Sequence, residues 1–167
     1  MASESLQTGA DERGIVALAH FLESRDVGFD VIEHRPTFTA ASDARASGVP
    51  IHDAAKTILL HSEDGYRMTV IPAAERLDLP KVRGLLGNAD VRLATEAEIA
   101  ELFEEVFDVG ALPPFGSTIA APEIVDTRLL SHDRVLCSGG DHTHSVLVDP
   151  REMVRVAGAR VADICQD

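Results

Sequence analysis

The chain has 167 residues, of which 45% are hydrophobic and 4% aromatic, and its formal net charge is −13 at pH 7. This length and composition predict one soluble globular domain that can bury a core without disulfides or metals. This negative charge excludes nucleic-acid binding through a surface that is basic overall. A nucleic-acid partner must therefore meet a local basic patch or be brought by another protein.

The ends of the chain and its cysteines indicate the compartment. No segment approaches the roughly 18 consecutive apolar residues that a membrane helix needs, and the polar, acidic N-terminus does not resemble a signal peptide. We expect residues 1–11 to be a flexible N-terminus and residues 12–167 to form a single domain. Cys137 and Cys165 show no metal-binding or redox spacing. These features predict a cytoplasmic protein.

Helical and strand patterns alternate irregularly along the first two thirds of the chain. Thr39 is the expected N-cap of one short helix, and Thr95 with Glu98 forms the capping-box pattern of another. The segment Ser62-Glu63-Asp64-Gly65 between two apolar strands predicts a β-hairpin. In chain order the predicted elements are a helix over 12–25, a strand over 29–34, a helix over 40–47, a strand over 54–61, its hairpin partner over 66–71, a helix over 78–86, a short strand over 91–94 and a helix over 96–105.

The last third of the chain is predicted to consist mainly of strands. The predicted elements are strands over 119–130, 135–138 and 145–148, turns at His132-Asp133 and Gly139-Gly140, a helix from Pro150 to 157 and a final strand over 160–164. This irregular mixture of helices, strands and hairpins predicts an α+β domain with a mixed sheet.

A rigid loop separates the two parts. The segment Gly110-Ala111-Leu112-Pro113-Pro114-Phe115-Gly116, called here the glycine–proline loop, contains two prolines that fix φ and remove two backbone donors. Neither a helix nor a central strand can pass through it, and its terminal glycines allow a sharp turn or the close approach of another group. Both a structural connection and a functional loop fit this pattern.

Lys56 lies within the apolar strand Ala54–Leu60, on the same face as Ile58 and Leu60 by period-two alternation. A lysine among aliphatic neighbours must extend to water, pair with an acid or face a cleft. An edge lysine that reaches water and a cleft lysine both remain open from the pattern alone.

Further polar residues interrupt the late strands. Asp126 marks either a turn at a strand end or a pocket wall. His142 and His144 share one face if they lie on a strand, which suits a pocket wall, a solvated loop, or a metal site with a third ligand from His132, Asp133 or Asp141. The residues alone therefore predict a cleft formed by Lys56, Asp126, the glycine–proline loop and the two histidines.

Together, these motifs resemble the YbaK/ProX family of aminoacyl-tRNA editing domains, which also occur inserted in bacterial prolyl-tRNA synthetases. The resemblance spans about residues 27–164, and the order and spacing of its motifs are more specific than any one of them. The motifs are His34-Arg35-Pro36-Thr37-Phe38-Thr39-Ala40, Ala54-Ala55-Lys56-Thr57-Ile58-Leu59-Leu60, Val70-Ile71-Pro72-Ala73, Val91-Arg92-Leu93-Ala94, the glycine–proline loop and Ile124-Val125-Asp126.

The resemblance implies a mixed, barrel-like β-sheet with flanking helices and a hydrolase that works without metal or cofactor. Its substrate would be the ester that joins a wrong amino acid to the 3′-terminal adenosine of tRNA, with alanyl-tRNA(Pro) expected first and serine, cysteine and proline-like amino acids after it. The implied partners are the acceptor end of mischarged tRNA and an aminoacyl-tRNA synthetase, with no DNA or membrane partner.

The resemblance also implies a set of site residues. Lys56 matches the family's essential lysine and would contact the terminal nucleotide. Gly110 and Pro114 match a Gly-x-x-x-Pro pattern whose backbone would position the ester and the attacking water, with a ribose hydroxyl assisting. The residues expected to bind substrate are Ala111, Phe115, Gly116, Asp126, Gly139, His142 and His144.

Two other functions remain open. A non-catalytic binding or regulatory module of the same fold fits the acidic surface, and it predicts a buried Lys56 paired with a carboxylate and no open cleft. An open pocket beside the glycine–proline loop favours the enzyme instead. A histidine-based metallohydrolase predicts stoichiometric metal in the purified protein.

Overall fold

The computed structural model describes residues 12–116 and 120–167, so the predicted flexible N-terminus at residues 1–11 lies outside the described part of the chain. Within these residues five α-helices and eight strands form, which confirms the α+β class. The helices are α1 Gly14–Ser24, α2 Ala40–Ser47, α3 Leu79–Leu86, α4 Glu96–Phe103 and α5 Pro150–Ala157. The strands are β1 Phe29–Glu33, β2 Ala55–Ser62, β3 Gly65–Pro72, β4 Arg92–Leu93, β5 Glu123–Asp126, β6 Val135–Asp141, β7 His144–Val148 and β8 Arg160–Ala162.

The strands form two sheets rather than one closed barrel. A three-stranded antiparallel sheet has the order β1-β7-β6, and a five-stranded mixed sheet has the order β4-β2-β3-β5-β8. In the second sheet β5 runs parallel to both β3 and β8. The sheets meet at a parallel bridge between Ala54 and Leu136. The sheet is therefore mixed, as expected, but the expected barrel-like closure is incomplete.

Local sequence signals set the ends of several helices. Thr39 caps α2 by accepting from the amide of Ser42, and Gly48 ends that helix at φ +71°. Thr95 and Glu98 form the predicted capping box of α4. Both predicted caps are confirmed. The sequence could predict them because a helix cap depends only on residues within one turn of the helix end.

The main core lies between α1 and strands of both sheets, and it reaches the glycine–proline loop. Phe21 of α1 is buried and packs against Phe115 of the loop, with 5.8 Å between the centroids of the two tilted rings. Burying such large side chains contributes about 2–3 kcal/mol each. The loop is thus fixed to the core at its C-terminal half.

The predicted long strand over 119–130 is shorter than expected. Residue 119 lies outside the described residues, β5 covers only Glu123–Asp126, and Thr127–Ser131 form a 3-10 helix. The Asp126 carboxylate accepts from the amide of Arg128, which stabilises a turn in place of an extended chain.

The predicted turn at Gly139-Gly140 is wrong, because both glycines lie within β6 and the turn comes later, at His142-Thr143. A Cβ on Gly139 would stand 2.7 Å from the carbonyl oxygen of His144, so this glycine permits two strands to approach closely. Gly140 has φ +94° beside a register shift between Ser138 and Asp141. The glycines therefore mark a β-bulge.

Candidate active site

An open cleft of about 310 Å³ lies where α2, β2, the β4–α4 connection and the glycine–proline loop meet. Its volume is at the lower end of the range of about 300–1,000 Å³ that is usual for small-molecule sites. The lining residues are Phe38, Thr39, Ala40, Asp43, Ala55, Lys56, Thr57, Ile58, Leu59, Leu93, Ala94, Ile99, Gly110, Leu112 and Ser138.

Lys56 lies near the start of β2, opposite Ile71 of β3, and its half-buried side chain lines the cleft. Its ammonium group has no hydrogen-bond or ion-pair partner among residues 12–116 and 120–167. A half-buried cation without a carboxylate at ion-pair distance among the described residues favours an anionic ligand such as a phosphate.

The glycine–proline loop borders the same cleft with Gly110 and Leu112. Gly110 has φ +87°, a conformation that side-chain-bearing residues rarely adopt. Within the described part of the chain the amides of Gly110 and Leu112 donate to no other group, whereas the amide of Ala111 donates to the Asp108 carbonyl at 3.0 Å. Two residues that line the cleft thus have backbone amides without an acceptor in the described part of the chain.

The structure brings only some of the predicted site residues to the cleft. Lys56 and Gly110 line it together. Ala111, Pro114, Phe115 and Gly116 are buried and do not line it. Gly139 packs on the β7 backbone, and its neighbour Ser138 lines the cleft instead.

Asp126 does not line the cleft. Its carboxylate is fully buried and accepts from the amides of Arg128 and Ile164, both at 2.9 Å. One guanidinium nitrogen of Arg128 also contacts it at 3.1 Å. These bonds tie β5 to the C-terminal segment, because β5 lies in the interior of the five-stranded sheet next to β8. The Asp126 carboxylate therefore has a structural role, and its expected role in substrate binding stays a prediction.

The two histidines of the β6–β7 turn have separate surroundings. The His142 ring lies against Phe38, with 4.5 Å between centroids, and a Cβ on Gly110 would be 3.8 Å from its Cε1. His144 instead bonds through Nδ1 to the Asp141 carboxylate at 2.9 Å. The structure therefore places His142 at the cleft margin and ties His144 to the turn.

Asp141 fastens this turn to α1 as well. Its Oδ2 accepts from the amide of Ile15 at 3.0 Å, and its Oδ1 accepts from the amide of Thr143 at 3.0 Å. Burial opposes ionisation of Asp141, but these bonds and the one with His144 outweigh it and leave the pKa of the carboxyl lowered. In the described ranges, no three His, Cys, Asp or Glu side chains stand close enough together to hold a metal ion.

The segment before α2 and the first turn of α2 contribute cleft residues that the sequence analysis did not name as site residues. Phe38 is 68% exposed at the rim, although it is a large apolar side chain. Asp43 lines the cleft and accepts a hydrogen bond from the Thr37 hydroxyl. Burial is the main reason why the pKa of Asp43 is raised, while the bond from Thr37 opposes that shift. The apolar ring in His34-Arg35-Pro36-Thr37-Phe38 was the available signal for this rim.

Comparisons with known proteins identify the family of this chain. A family model described as the aminoacyl-tRNA editing domain matches residues 34–156, which include Lys56 and the glycine–proline loop. The chain is 27% identical over 103 residues to a proline–tRNA ligase of Exiguobacterium sibiricum. That match covers 62% of this chain but only 18% of the ligase, so the chain spans less than a fifth of that relative.

Solved structures agree along nearly the whole chain. A protein described as a candidate trans-editing enzyme for prolyl-tRNA synthetase is 30% identical, with a TM-score of 0.78 and coverage of 99% of this chain and 98% of that one. The hypothetical protein APE2540 is also 30% identical, with a TM-score of 0.81 and coverage of 89% and 99%. From the family match and these structures together, the chain belongs to the aminoacyl-tRNA editing domain family, the family its YbaK/ProX-like motifs resemble.

Proposed function

We propose that this protein is an aminoacyl-tRNA deacylase that hydrolyses the ester of mischarged tRNA in trans, with alanyl-tRNA(Pro) as its first substrate. One observation carries the proposal. Lys56, whose ammonium has no partner among residues 12–116 and 120–167, lines an open cleft together with Gly110 and Leu112, whose amides donate to no group in the same residues. A cation and two fixed backbone donors suit a substrate that has a phosphate next to an ester.

The proposed mechanism follows from ester chemistry. Lys56 binds a phosphate of the terminal nucleotide and thereby holds the ester in the cleft. Attack by water creates an oxyanion, which the amides of Gly110 and Leu112 stabilise without having to reorganise. An aminoacyl ester is already activated, so positioning it beside a water and a ribose hydroxyl supplies much of the remaining rate acceleration.

The walls of the cleft support a small amino acid. Ala55, Leu59, Ile99 and Leu112 present apolar surface in a space of about 310 Å³ that must also admit part of the terminal adenosine. Pockets of this kind discriminate weakly between side chains that differ by one methylene, which is why cells benefit from a separate editing site. The amino acid is therefore proposed to be small, with alanine first.

Exposed arginines near the cleft segment support tRNA binding by this acidic chain. Arg35 and Arg45 flank that segment in sequence, both are exposed, and neither guanidinium has a partner in the described residues. We propose that they contact phosphates of the tRNA, which a chain of net charge −13 can meet only through local positive charge. We propose that a prolyl-tRNA synthetase supplies further tRNA contacts, and that the reaction takes place in the cytoplasm.

The alternative binding module has less support. It requires a buried Lys56 paired with an acid and no open cleft, whereas Lys56 is half-buried and lines an open cleft. The test is deacylation of a panel of tRNAs charged with alanine, serine, cysteine or proline, with alanyl-tRNA(Pro) first. Hydrolysis of at least one ester above the uncatalysed rate supports the enzyme. Its absence throughout the panel, with a folded protein, supports the binding module.

Replacing Phe38 by alanine is expected to raise KM for the edited tRNA about tenfold and to change kcat little, because stacking on an aromatic ring contributes about 1–3 kcal/mol per base. Phe38 is 68% exposed, so the melting temperature should hardly move. Steady-state kinetics of three variants tests the expected rise in KM. Phe38→Tyr keeps the aromatic ring, and Val161→Ala is a control that removes an exposed apolar side chain on β8. An unchanged KM in Phe38→Ala would contradict stacking.

A further inference from the structure

Glu123 is a buried acid that the proposed mechanism does not use. It is the first residue of β5, opposite Met68 of β3, and it is 3% exposed. Its Oε1 accepts from the amide of Gly116 at 2.5 Å, and its Oε2 is buried with no hydrogen-bond partner among the described groups. A carboxylate with one unsatisfied oxygen in such a place is costly, so the neutral acid is the stable form.

The surroundings of Glu123 contain no compensating cation among the described residues. Burial is the main cause that raises the pKa of Glu123 to about 8, although the bond from the Gly116 amide lowers it. The titratable group that faces it is the Cys137 thiol of β6, whose pKa is raised by burial and further by Glu123. Both groups are therefore mainly protonated at neutral pH, with the amide of Gly116 donating to the carbonyl oxygen of the acid.

The partner of Glu123 ends the glycine–proline loop. A Cβ on Gly116 would lie 2.4 Å from the carbonyl oxygen of Ala121 and 3.1 Å from Oε1 of Glu123, so no side chain fits there. The amide of Ala121 also donates to the Gly116 carbonyl at 3.0 Å. Phe115 next to it packs on Phe21. Gly116 is thus held on several sides.

We propose that Glu123 is a positioning residue of the cleft, because its carboxyl fixes Gly116 and, through the stiff Pro113-Pro114 pair, the place of the Gly110 and Leu112 amides. This inference rests on the proposed function. Glu123 itself does not line the cleft, so it acts only through the loop. Two consecutive prolines transmit the position of one end of the loop to the other because their φ angles are fixed.

The proposal predicts a pH dependence. Ionisation of Glu123 above about pH 8 places an uncompensated charge in the core, and the loop must move to let water reach it. The kcat of the wild type should therefore fall above about pH 8, relative to that of Glu123→Gln, which stays neutral. KM should change less than about threefold, since the phosphate contact of Lys56 is unaffected.

Stability should follow the same linkage. The pKa of Glu123 is about 8 in the folded protein and near its ordinary value of 4.5 when unfolded. Between these values the folded state binds more protons, so the stability contributed by the acid is complete below pH 4.5 and is lost progressively as the pH rises to about 8. Glu123→Gln should lack this decline in urea titrations at a series of pH values.

The experiment compares the wild type, Glu123→Gln and Glu123→Leu at pH 6.5 to 8.8, with the uncatalysed hydrolysis subtracted. Glu123→Leu leaves the Gly116 amide without its acceptor, and its kcat is expected to be about 10- to 100-fold lower at every pH. Ser62→Ala removes another buried hydrogen-bonded group, at the distant β2–β3 turn, and controls for general destabilisation. Glu123→Gln should retain the wild-type kcat at pH 6.5.

Hydrogen exchange of the Gly116 amide supplies a readout that is independent of activity. The amide should be protected in the wild type and in Glu123→Gln, and should exchange faster in Glu123→Leu. Equal protection of the Gly116 amide in all three proteins would contradict its hydrogen bond to Glu123. A Glu123→Leu protein that loses this protection but keeps the wild-type kcat would contradict the positioning role. If no variant hydrolyses any ester, the proposed function and the positioning role both fall, while amide exchange still decides whether Glu123 holds Gly116.

Discussion

Lys56→Ala is expected to lower kcat/KM for alanyl-tRNA(Pro) by at least about a hundredfold, because it removes the proposed charged contact with the terminal nucleotide that holds the ester beside the loop. The folded state should be unaffected, since the ammonium of Lys56 has no partner in the described part of the chain to lose. Single-turnover deacylation together with a thermal melt separates the two effects. A large loss of activity without a loss of stability is the expected result.

The chain supplies a matched control for this experiment. Lys81, its other lysine, has its ammonium bonded to the carboxylates of Asp163 and Asp167 and to the carbonyl of Cys165. Lys81→Ala should therefore affect the C-terminal segment while leaving kcat/KM within about twofold, because Lys81 does not line the cleft. Lys56→Arg should recover only part of the activity, since a guanidinium keeps the charge but not the shape of an ammonium.

The outcomes distinguish the mechanisms. Activity that vanishes in Lys56→Ala and survives in Lys81→Ala would locate the reaction in the cleft. Activity that survives in both variants would keep the reaction but contradict the proposed role of Lys56. An equal loss in both would indicate a general effect of removing positive charge from a chain whose net charge is already −13.

Much of the fold was predictable because its signals are local. The β2–β3 hairpin, the caps of α2 and α4, and the helix that starts at Pro150 each depend on residues within one or two turns of chain. The convergence of Lys56 and Gly110 on one cleft is not local; the polar and loop residues suggested the cleft, and the family resemblance then gave these two residues their expected roles.

The sequence was least informative where tertiary contacts decide what a residue does. Two consecutive glycines, such as Gly139 and Gly140, are typical of a turn. In the structure the strand that contains them pairs with β7, and the glycines form a bulge in it. An acid at the end of an apolar strand, as at Asp126, is typical of a pocket wall. Its carboxylate instead accepts from the amide of Arg128 and from the amide of Ile164, which lies 38 positions later in the chain. Likewise, nothing in the sequence around Glu123 indicates that its carboxyl meets Gly116.

Asp126→Ala is expected to destabilise the protein by about 3 kcal/mol, because it removes the acceptor of two backbone amides and leaves the guanidinium of Arg128 without this partner. The amide of Ile164 lies in a buried segment, so water cannot readily replace the lost acceptor. Urea unfolding measures the change. Asp126→Asn should lose less, since its side-chain oxygen can still accept one of these bonds.

Asp163→Ala is the matched control, because Asp163 contacts the same Arg128 guanidinium at 2.9 Å from a position that is 49% exposed. Its effect on unfolding should be small, as is usual for exposed ion pairs. If the role of Asp126 is only structural, the Asp126→Ala protein should retain the wild-type kcat and KM when it is assayed well below its melting temperature, where it is folded. A loss of kcat in fully folded protein would instead return Asp126 to the reaction, through the sheet that it shares with the Lys56 strand.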